Sequence, residues 1–288
     1  MKVNIVNKKK IAFQGIPGAY SHLACKNIYE DFEPLPCTSF EEMISSVQDK
    51  TAKLAMVPVE NSTAGRVADI HNLLPESGLN IIREYYLRVN HMLLGTHESS
   101  INSLVEVRSH GQGLAQCKIN LQNHKLKPAL HTDTAAAAKE IAKLKDPQIG
   151  AIASELAAEI YDLKILKRNF EDTNHNTTRF LIMSKEQIKP TLHDKLQTIT
   201  TIVFSTRSVP AALYKALGGF ATNGINLTKL ESYMKGGKMT AVQFYVDIEG
   251  HPESQSMKFA LEELKFFCGD KNVKIIGTYP ASDERKKM

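Results

Sequence analysis

At 288 residues, 42% hydrophobic and with a formal net charge of +5, the chain is long enough for two domains with cores of their own and has an ordinary globular composition. Its four cysteines (Cys25, Cys37, Cys117, Cys268) stand far apart with no CxxC pair, which argues against a zinc site or a disulfide framework and for a reduced, cytoplasmic protein. No apolar run approaches a membrane span, no signal peptide is read in the opening MKVNIVNKKKIAF, and the basic runs at 8–10 and 285–287 lack the interleaved aromatic residues of a nucleic-acid surface.

Taken in order, residues 11–14 form the first strand, and Gly15-Ile16-Pro17-Gly18-Ala19-Tyr20-Ser21-His22 turns it into a helix. Residues 54–59 are a buried strand, followed by Glu60-Asn61-Ser62-Thr63-Ala64-Gly65 and a helix through Leu74. Residues 105–108 lead into Ser109-His110-Gly111-Gln112-Gly113 and a helix running past Cys117. His131-Thr132-Asp133-Thr134 caps an alanine-rich helix to Leu144, and residues 149–153 lead into Ser154 and one more helix. This strand–loop–helix rhythm predicts parallel α/β architecture. Beyond a linker at 186–195, marked by Pro190, the pattern becomes strand (197–206), helix (211–222), strand (225–235), strand (239–248), helix (254–268) and strand (272–279). That order is the ferredoxin-like βαββαβ unit.

Each junction in the first part places Gly, Ser, Thr or Asn where helix N-terminal N–H groups lack partners, and such N-termini bind anions. In an open parallel sheet they gather at the carboxyl ends of the strands, so several together predict a site for a small, multiply anionic molecule. No GxxxxGK[ST] points to a nucleotide phosphate, and Gly15-Ile16-Pro17-Gly18 is weak by itself. The polar residues on offer (Asn61, Ser62, Thr63, Ser109, Gln116, Thr178, Arg179) favour a carboxylate-bearing organic acid. Glu41-Glu42 reads as a solvated helix face, none of the ten histidines lies at i, i+4 with a nearby carboxylate, and no Ser-His-Asp set can be assigned. Asn176-Thr177-Thr178-Arg179-Phe180 packs a cation, two hydroxyls and an amide where the buried run Leu181-Ile182-Met183 begins. Alone it is a polar turn; a converging anion site gives it something to face.

The chain resembles the prephenate dehydratases along nearly its whole length. The resemblance is carried by Phe13-Gln14-Gly15 with Gly18-Ala19-Tyr20-Ser21, by Pro58-Val59-Glu60-Asn61-Ser62, by Ser109-His110 with Gln116-Cys117, and by the Asn-x-Thr-Arg-Phe pattern at Asn176–Phe180. Gly224-Ile225-Asn226-Leu227 and Glu231-Ser232 look like an ACT regulatory domain. The resemblance implies a catalytic domain at 10–185, with two α/β lobes like a periplasmic binding protein (about 10–84 plus 177–185, and 85–176) and an active site in the cleft between them. An ACT domain follows at 197–280. The implied reaction is loss of the ring hydroxyl and CO2 from prephenate to give phenylpyruvate, on the way to phenylalanine, with no cofactor and no metal.

Family roles then fall on named positions. Thr178 matches the catalytic threonine, a donor to the departing hydroxyl; Asn61, Ser109 and Gln116 match positions implicated in activity. Arg179 is the expected carboxylate fork. Ser62, Thr63 and Thr134 either cap helices or contact substrate, and Tyr20 either walls the cleft or is buried away from it. An L-phenylalanine effector would meet Ala211, Ala212, Leu213, Asn226, Leu227, Glu231 and Ser232. Two departures weaken that expectation: the usual Gly-Ala-Leu reads Ala211-Ala212-Leu213, and the usual Glu-Ser-Arg-Pro reads Glu231-Ser232-Tyr233-Met234. His110-Gly111, where a proline usually follows the histidine, alters only a turn. ACT pairing implies a homodimer or homotetramer, with no nucleic-acid or membrane partner. Arogenate dehydratase and a non-catalytic amino-acid-sensing binding protein are the rival readings.

Overall fold

The structure, a computed structural model, describes residues 8–188, 190–192, 197–234 and 242–287. Parts of the expected linker, and residues 235–241 with the end of the expected strand 225–235 and the start of the expected strand 239–248, lie outside the described residues. The chain forms an α/β fold with two mixed sheets, and its contacts divide it into two compact units.

One unit comprises the chain through Met43, Glu60–Arg66 and Leu87–Arg179. Its five-stranded sheet runs Lys164–Lys167, Met92–Gly95, Ile149–Ala153, Glu106–Ser109, Lys127–Leu130. Period-two alternation sends neighbouring residues to opposite faces. Leu94, Ala151 and Ala153 pack under the helix Thr134–Leu144 through Ala135, Ala137, Ala138 and Ile141. Leu93 and Ile152 pack on the other side with Val107, Leu114, Leu121 and Phe170. The alanines bring the helix close to the sheet. Asp133 caps that helix by accepting from Ala136 N–H at 2.9 Å, and Ser154 caps Glu155–Tyr161 by accepting from Ala157 N–H at 3.0 Å, both as the sequence predicts.

The expected parallel pairing holds for part of this sheet. Glu106–Ser109 is parallel to both its neighbours, but Met92–Gly95 is antiparallel to both of its own. Parallel pairing needs a crossover connection, and helical crossovers join only the later strands of this sheet. The helix expected past Cys117 is two short ones, Gly111–Gln116 and Lys118–Asn123.

A second correction concerns residues 60–65. They are a hairpin, not a strand-to-helix junction: Glu60 pairs with Arg66 and Asn61 with Gly65, antiparallel, and the helix starts only at Ala68. The cause is local. Asn61 Oδ1 accepts from the backbone N–H groups of Thr63 and Ala64 at 3.0 and 2.9 Å, an Asx turn that folds the chain back, and Gly65 takes φ +79°.

The other unit comprises Ile44–Val59, Val67–Tyr86 and the chain from Phe180 onward. Here the order is Thr198–Ser205, helix Ala212–Thr222, Leu227–Met234, Val242–Glu249, helix Gln255–Cys268, Val273–Pro280, a βαββαβ succession. Its four strands stand in the order second, third, first, fourth, each antiparallel to its neighbour. The two helices cover one face, burying Phe204, Ala216, Phe220, Val246, Leu261 and Leu264 together. Gly277 lets Val273–Pro280 lie parallel to Asn80–Arg88: a Cβ there would meet the Ile81 carbonyl oxygen at 2.6 Å. Arg285 forks onto Glu84 (Nε to Oε1 2.6 Å, Nη2 to Oε2 2.9 Å) and reaches Asp247 at 3.5 Å, with both carboxylates fully buried.

Candidate active site

Five of the residues singled out in the sequence meet in one hydrogen-bond circuit in the first unit. Asn61 Nδ2 donates to Asn176 Oδ1 at 2.6 Å and to Thr178 Oγ1 at 2.9 Å. Asn176 Nδ2 donates to Gln116 Oε1 at 2.7 Å. Gln116 Nε2 donates to Thr63 Oγ1 at 2.6 Å, and Thr63 Oγ1 donates back to Asn61 Oδ1 at 2.8 Å. His91 Nε2 stands 2.7 Å from Gln116 Oε1, and its Nδ1 stands 2.7 Å from the Tyr20 hydroxyl.

The polarity of this circuit follows from its backbone anchors. The N–H groups of Thr63 and Ala64 cannot reverse, so Asn61 Oδ1 faces them and Asn61 Nδ2 faces Asn176 and Thr178. Asn176 therefore turns its oxygen to Asn61 and its nitrogen to Gln116, and Gln116 turns its nitrogen to Thr63. The Thr178 hydroxyl accepts from Asn61 and has no acceptor of its own among the described residues, so its proton is available to donate. Gln116 keeps one Nε2 hydrogen in the same condition. At the far end, burial holds the His91 imidazole below its ordinary pKa, against smaller opposing effects from Gln116 and Glu171. In the neutral ring the oxygen of Gln116 calls for the proton on Nε2, and Nδ1 accepts from the Tyr20 hydroxyl, which also lies 3.0 Å from the Asn90 carbonyl. Burial, reinforced by Cys117, Glu171 and Asp133, pushes the Tyr20 phenol well above its usual range and keeps it a donor.

The remaining expectations divide. The Ser62 hydroxyl donates to the His175 carbonyl at 2.5 Å and accepts from Thr177 N–H at 2.9 Å, tying the hairpin to the strand that carries Thr178. Neither Ser62 nor Thr63 starts a helix. Ser109 is fully buried and donates to the Ile152 carbonyl on the neighbouring strand at 2.7 Å, away from the circuit. Thr134 is the first residue of its helix, Asp133 does the capping, and the Thr134 side chain makes no hydrogen bond among the described residues.

Arg179, expected to fork onto a substrate carboxylate, meets one of the chain's own. Successive residues of Thr177–Ser184 face opposite ways, so Thr178 turns to Asn61 while Arg179, 2% exposed, turns inward and donates to Glu60 Oε1 at 3.1 Å. A carboxylate of the chain itself takes this face of the guanidinium. The Gly15–Gly18 turn is likewise a packing device. Its Pro17 and Gly18 carbonyls accept from Tyr161 Oη and Ser154 Oγ, both at 2.6 Å, and a Cβ on Gly18 would sit 3.0 Å from Ala157 Cα. Three of the helix starts expected to hold an anion give an N–H to their own cap residue, His110, Asp133 and Ser154, while Tyr20–Ile28 has no side-chain cap at Ala19.

Sequence reasoning missed His91, and it gave Asn176 no role although the opening pentapeptide contains it. Both act through partners far along the chain, and no local pattern flags such pairs. A depression of about 520 Å³, lined by Arg88, Asn169, Glu171, Asp172 and His175 among others, shares Glu171 with the surroundings of His91, whose N–H donates to Glu171 Oε2 at 2.8 Å. No cluster of three or more His, Cys, Asp or Glu side chains able to hold a metal occurs among the described residues, and no described helix is long and apolar enough to cross a membrane.

Of the expected effector positions, Ala211 precedes Ala212–Thr222 in the left-handed conformation, φ +59°, where glycine is at ease and alanine is strained. Leu213 and Leu227 pack against the module's own core. Asn226 Nδ2 donates to Glu249 at 3.1 Å, Glu231 accepts from Lys229 at 3.3 Å, and Ser232 pairs with Phe244 across the sheet.

Comparison with known proteins places these residues in a family. A sequence-family model described as prephenate dehydratase matches residues 11–188. A bifunctional N-acyl-homoserine lactone acylase/prephenate dehydratase of Komagataeibacter europaeus is 46% identical, over 96% of this chain and 98% of its own. Arogenate dehydratase/prephenate dehydratase 2 of Arabidopsis thaliana is 37% identical over 95% of this chain and 73% of its own. The solved prephenate dehydratase of Arthrobacter aurescens, in complex with L-Phe, superposes with a TM-score of 0.86 at 26% identity, covering 96% of this chain and 91% of that one. The chain belongs to the prephenate dehydratase family of hydro-lyase enzymes.

Proposed function

We propose that this chain acts on prephenate itself, releasing phenylpyruvate, CO2 and water in aromatic amino acid biosynthesis. The observation that carries the reading is the Thr178 hydroxyl, held as acceptor by Asn61 with its own proton free to donate. In the reaction the bond from the ring to its carboxylate breaks and CO2 leaves. That electron pair enters the ring, and the ring C–O bond breaks at the opposite carbon. The departing hydroxide needs one proton to leave as water. A threonine hydroxyl is a poor free acid, so Thr178 stabilises the growing charge on that oxygen by hydrogen bonding, with the proton ultimately supplied by solvent. Gln116 and Thr63 orient the substrate. Arg179 acts from behind, holding Glu60 and the strand that carries Thr178. The driving force is aromatisation, so the reading needs no cofactor.

The same reading takes residues 10–185 as the catalytic domain, with the two-lobed architecture of a periplasmic binding protein, and 197–280 as an ACT domain. The βαββαβ succession supports the second assignment. The relative solved with L-Phe supports phenylalanine as effector. The altered Ala211 and Tyr233 positions argue for a weakened response. Pairing through the ACT domains would make the protein a homodimer or homotetramer. The absence of any disulfide among the four buried cysteines supports a cytoplasmic setting.

Two named relatives favour further substrates, arogenate and N-acyl-homoserine lactones. Steady-state turnover of all three by the purified chain tests the proposal. Prephenate should give the highest kcat/KM; no phenylpyruvate above the uncatalysed blank would end it, and a higher value for arogenate or the lactone would reassign the substrate.

A further inference from the structure

Resting on the dehydratase reading above, we infer that His91 is a positioning residue: its Nε2–H holds the Gln116 amide in the one orientation that leaves an N–H for an anionic substrate. Gln116 is half-buried, and two donors meet at its Oε1. One donor to its Oε1 is Asn176 Nδ2, whose orientation Asn61 sets. The other is His91 Nε2–H, whose ring turns Nδ1 to the Tyr20 hydroxyl at 2.7 Å, a hydroxyl that also lies 3.0 Å from the Asn90 carbonyl. His91 is 2% exposed and rigidly placed. Its N–H donates to Glu171 Oε2 at 2.8 Å, and its carbonyl accepts from Phe170 N–H at 2.7 Å. A reversed Gln116 would offer its carbonyl oxygen to a substrate with two carboxylates, and would set its nitrogen against the nitrogens of His91 and Asn176.

Side-chain geometry supplies the test. A glutamine at 91 can carry an N–H to the place of the imidazole Nε2, whereas an asparagine reaches only as far as Nδ1. The experiment measures kcat, KM and melting temperature for wild type, His91→Gln and His91→Asn with prephenate. His91→Asn should lose about tenfold or more in kcat/KM, and His91→Gln should stay within about threefold of wild type. A His91→Asn enzyme with wild-type kcat/KM would overturn the inference. So would two folded variants that are equally impaired, since the imidazole itself would then be what matters. If His91→Asn does not fold, Tyr20→Phe takes its place. Removing the phenol proton frees Nδ1 and should lower kcat/KM in the same direction, and an unchanged value refutes the role. Wild type in the same assay separates the two claims: no turnover by wild type sinks the dehydratase reading and this one with it, while normal wild-type turnover beside a silent His91→Asn sinks only this one.

Discussion

Replacing Asn61 by aspartate changes one atom's chemistry and should invert the Thr178 hydroxyl. In Asn61→Asp the oxygen that accepts from Thr63 and Ala64 N–H is kept, while Nδ2 becomes a second carboxylate oxygen. That oxygen would sit 2.6 Å from Asn176 Oδ1 and 2.9 Å from Thr178 Oγ1. Against Thr178 the conflict resolves if the hydroxyl swings its proton onto the carboxylate, which removes the outward donor. Against Asn176, 3% exposed, it does not resolve without reversing an amide that also serves Gln116. The cost in stability is that of one buried bond broken with its acceptor left unsatisfied, about 1–3 kcal/mol. The cost in turnover is one preorganised donor, about 100- to 1,000-fold in kcat. The defect fades at a pH low enough to protonate the new carboxyl, when its acid O–H can again donate to Asn176. Phenylpyruvate formation across pH, corrected for the uncatalysed reaction, and urea unfolding of the same variant measure both quantities. Wild-type kcat at pH 7 with an unchanged urea midpoint would refute the polarity assigned to the circuit.

Other outcomes follow from single sites. Arg179→Met should destabilise by about 2–3 kcal/mol in urea, at the low end for a broken buried ion pair because Glu60 stays 32% exposed and can rehydrate. Arg285→Met removes the cation between the buried Glu84 and Asp247 carboxylates and should cost about 3–5 kcal/mol, read as a lowered urea midpoint. Ala211→Gly relieves left-handed strain of about 1–2 kcal/mol, partly offset by glycine's greater freedom when unfolded, and should raise stability by about 0.5–1 kcal/mol. His91 has a folded pKa held below its unfolded value, so the unfolded chain takes up the proton first. Stability should therefore fall as pH drops below about 6.5, with a shallower fall in His91→Gln when melting temperature is followed against pH.

What was legible in the sequence was local. Asp133 and Ser154 sit one residue before alanine-rich helical runs and cap them as read, because a cap acts over three residues. The βαββαβ succession was legible because strand and helix periods differ and the elements are long. Residues 60–65 were misread because Asn-Ser-Thr suits a helix start and an Asx turn equally well, and the choice rests on where the Asn61 side chain points. Arg179 shares a motif with Thr178, but strand alternation sends adjacent residues to opposite faces, and the inward one met Glu60, 119 positions away. His91 could not be found by pattern at all: its partners Tyr20 and Gln116 lie 71 and 25 positions off, and a buried histidine beside an apolar strand resembles any core histidine.

The Thr178 hydroxyl is the centre of the account, and its removal without loss of shape is the most direct test. Thr178→Val keeps the branched outline and leaves Asn61 Nδ2 its bond to Asn176, whereas Thr178→Ser keeps the hydroxyl. With prephenate as substrate and melting temperature as the check on folding, the valine variant should lose at least about 100-fold in kcat while the serine variant stays within about tenfold of wild type. A folded Thr178→Val enzyme that makes phenylpyruvate at the wild-type rate would contradict the account.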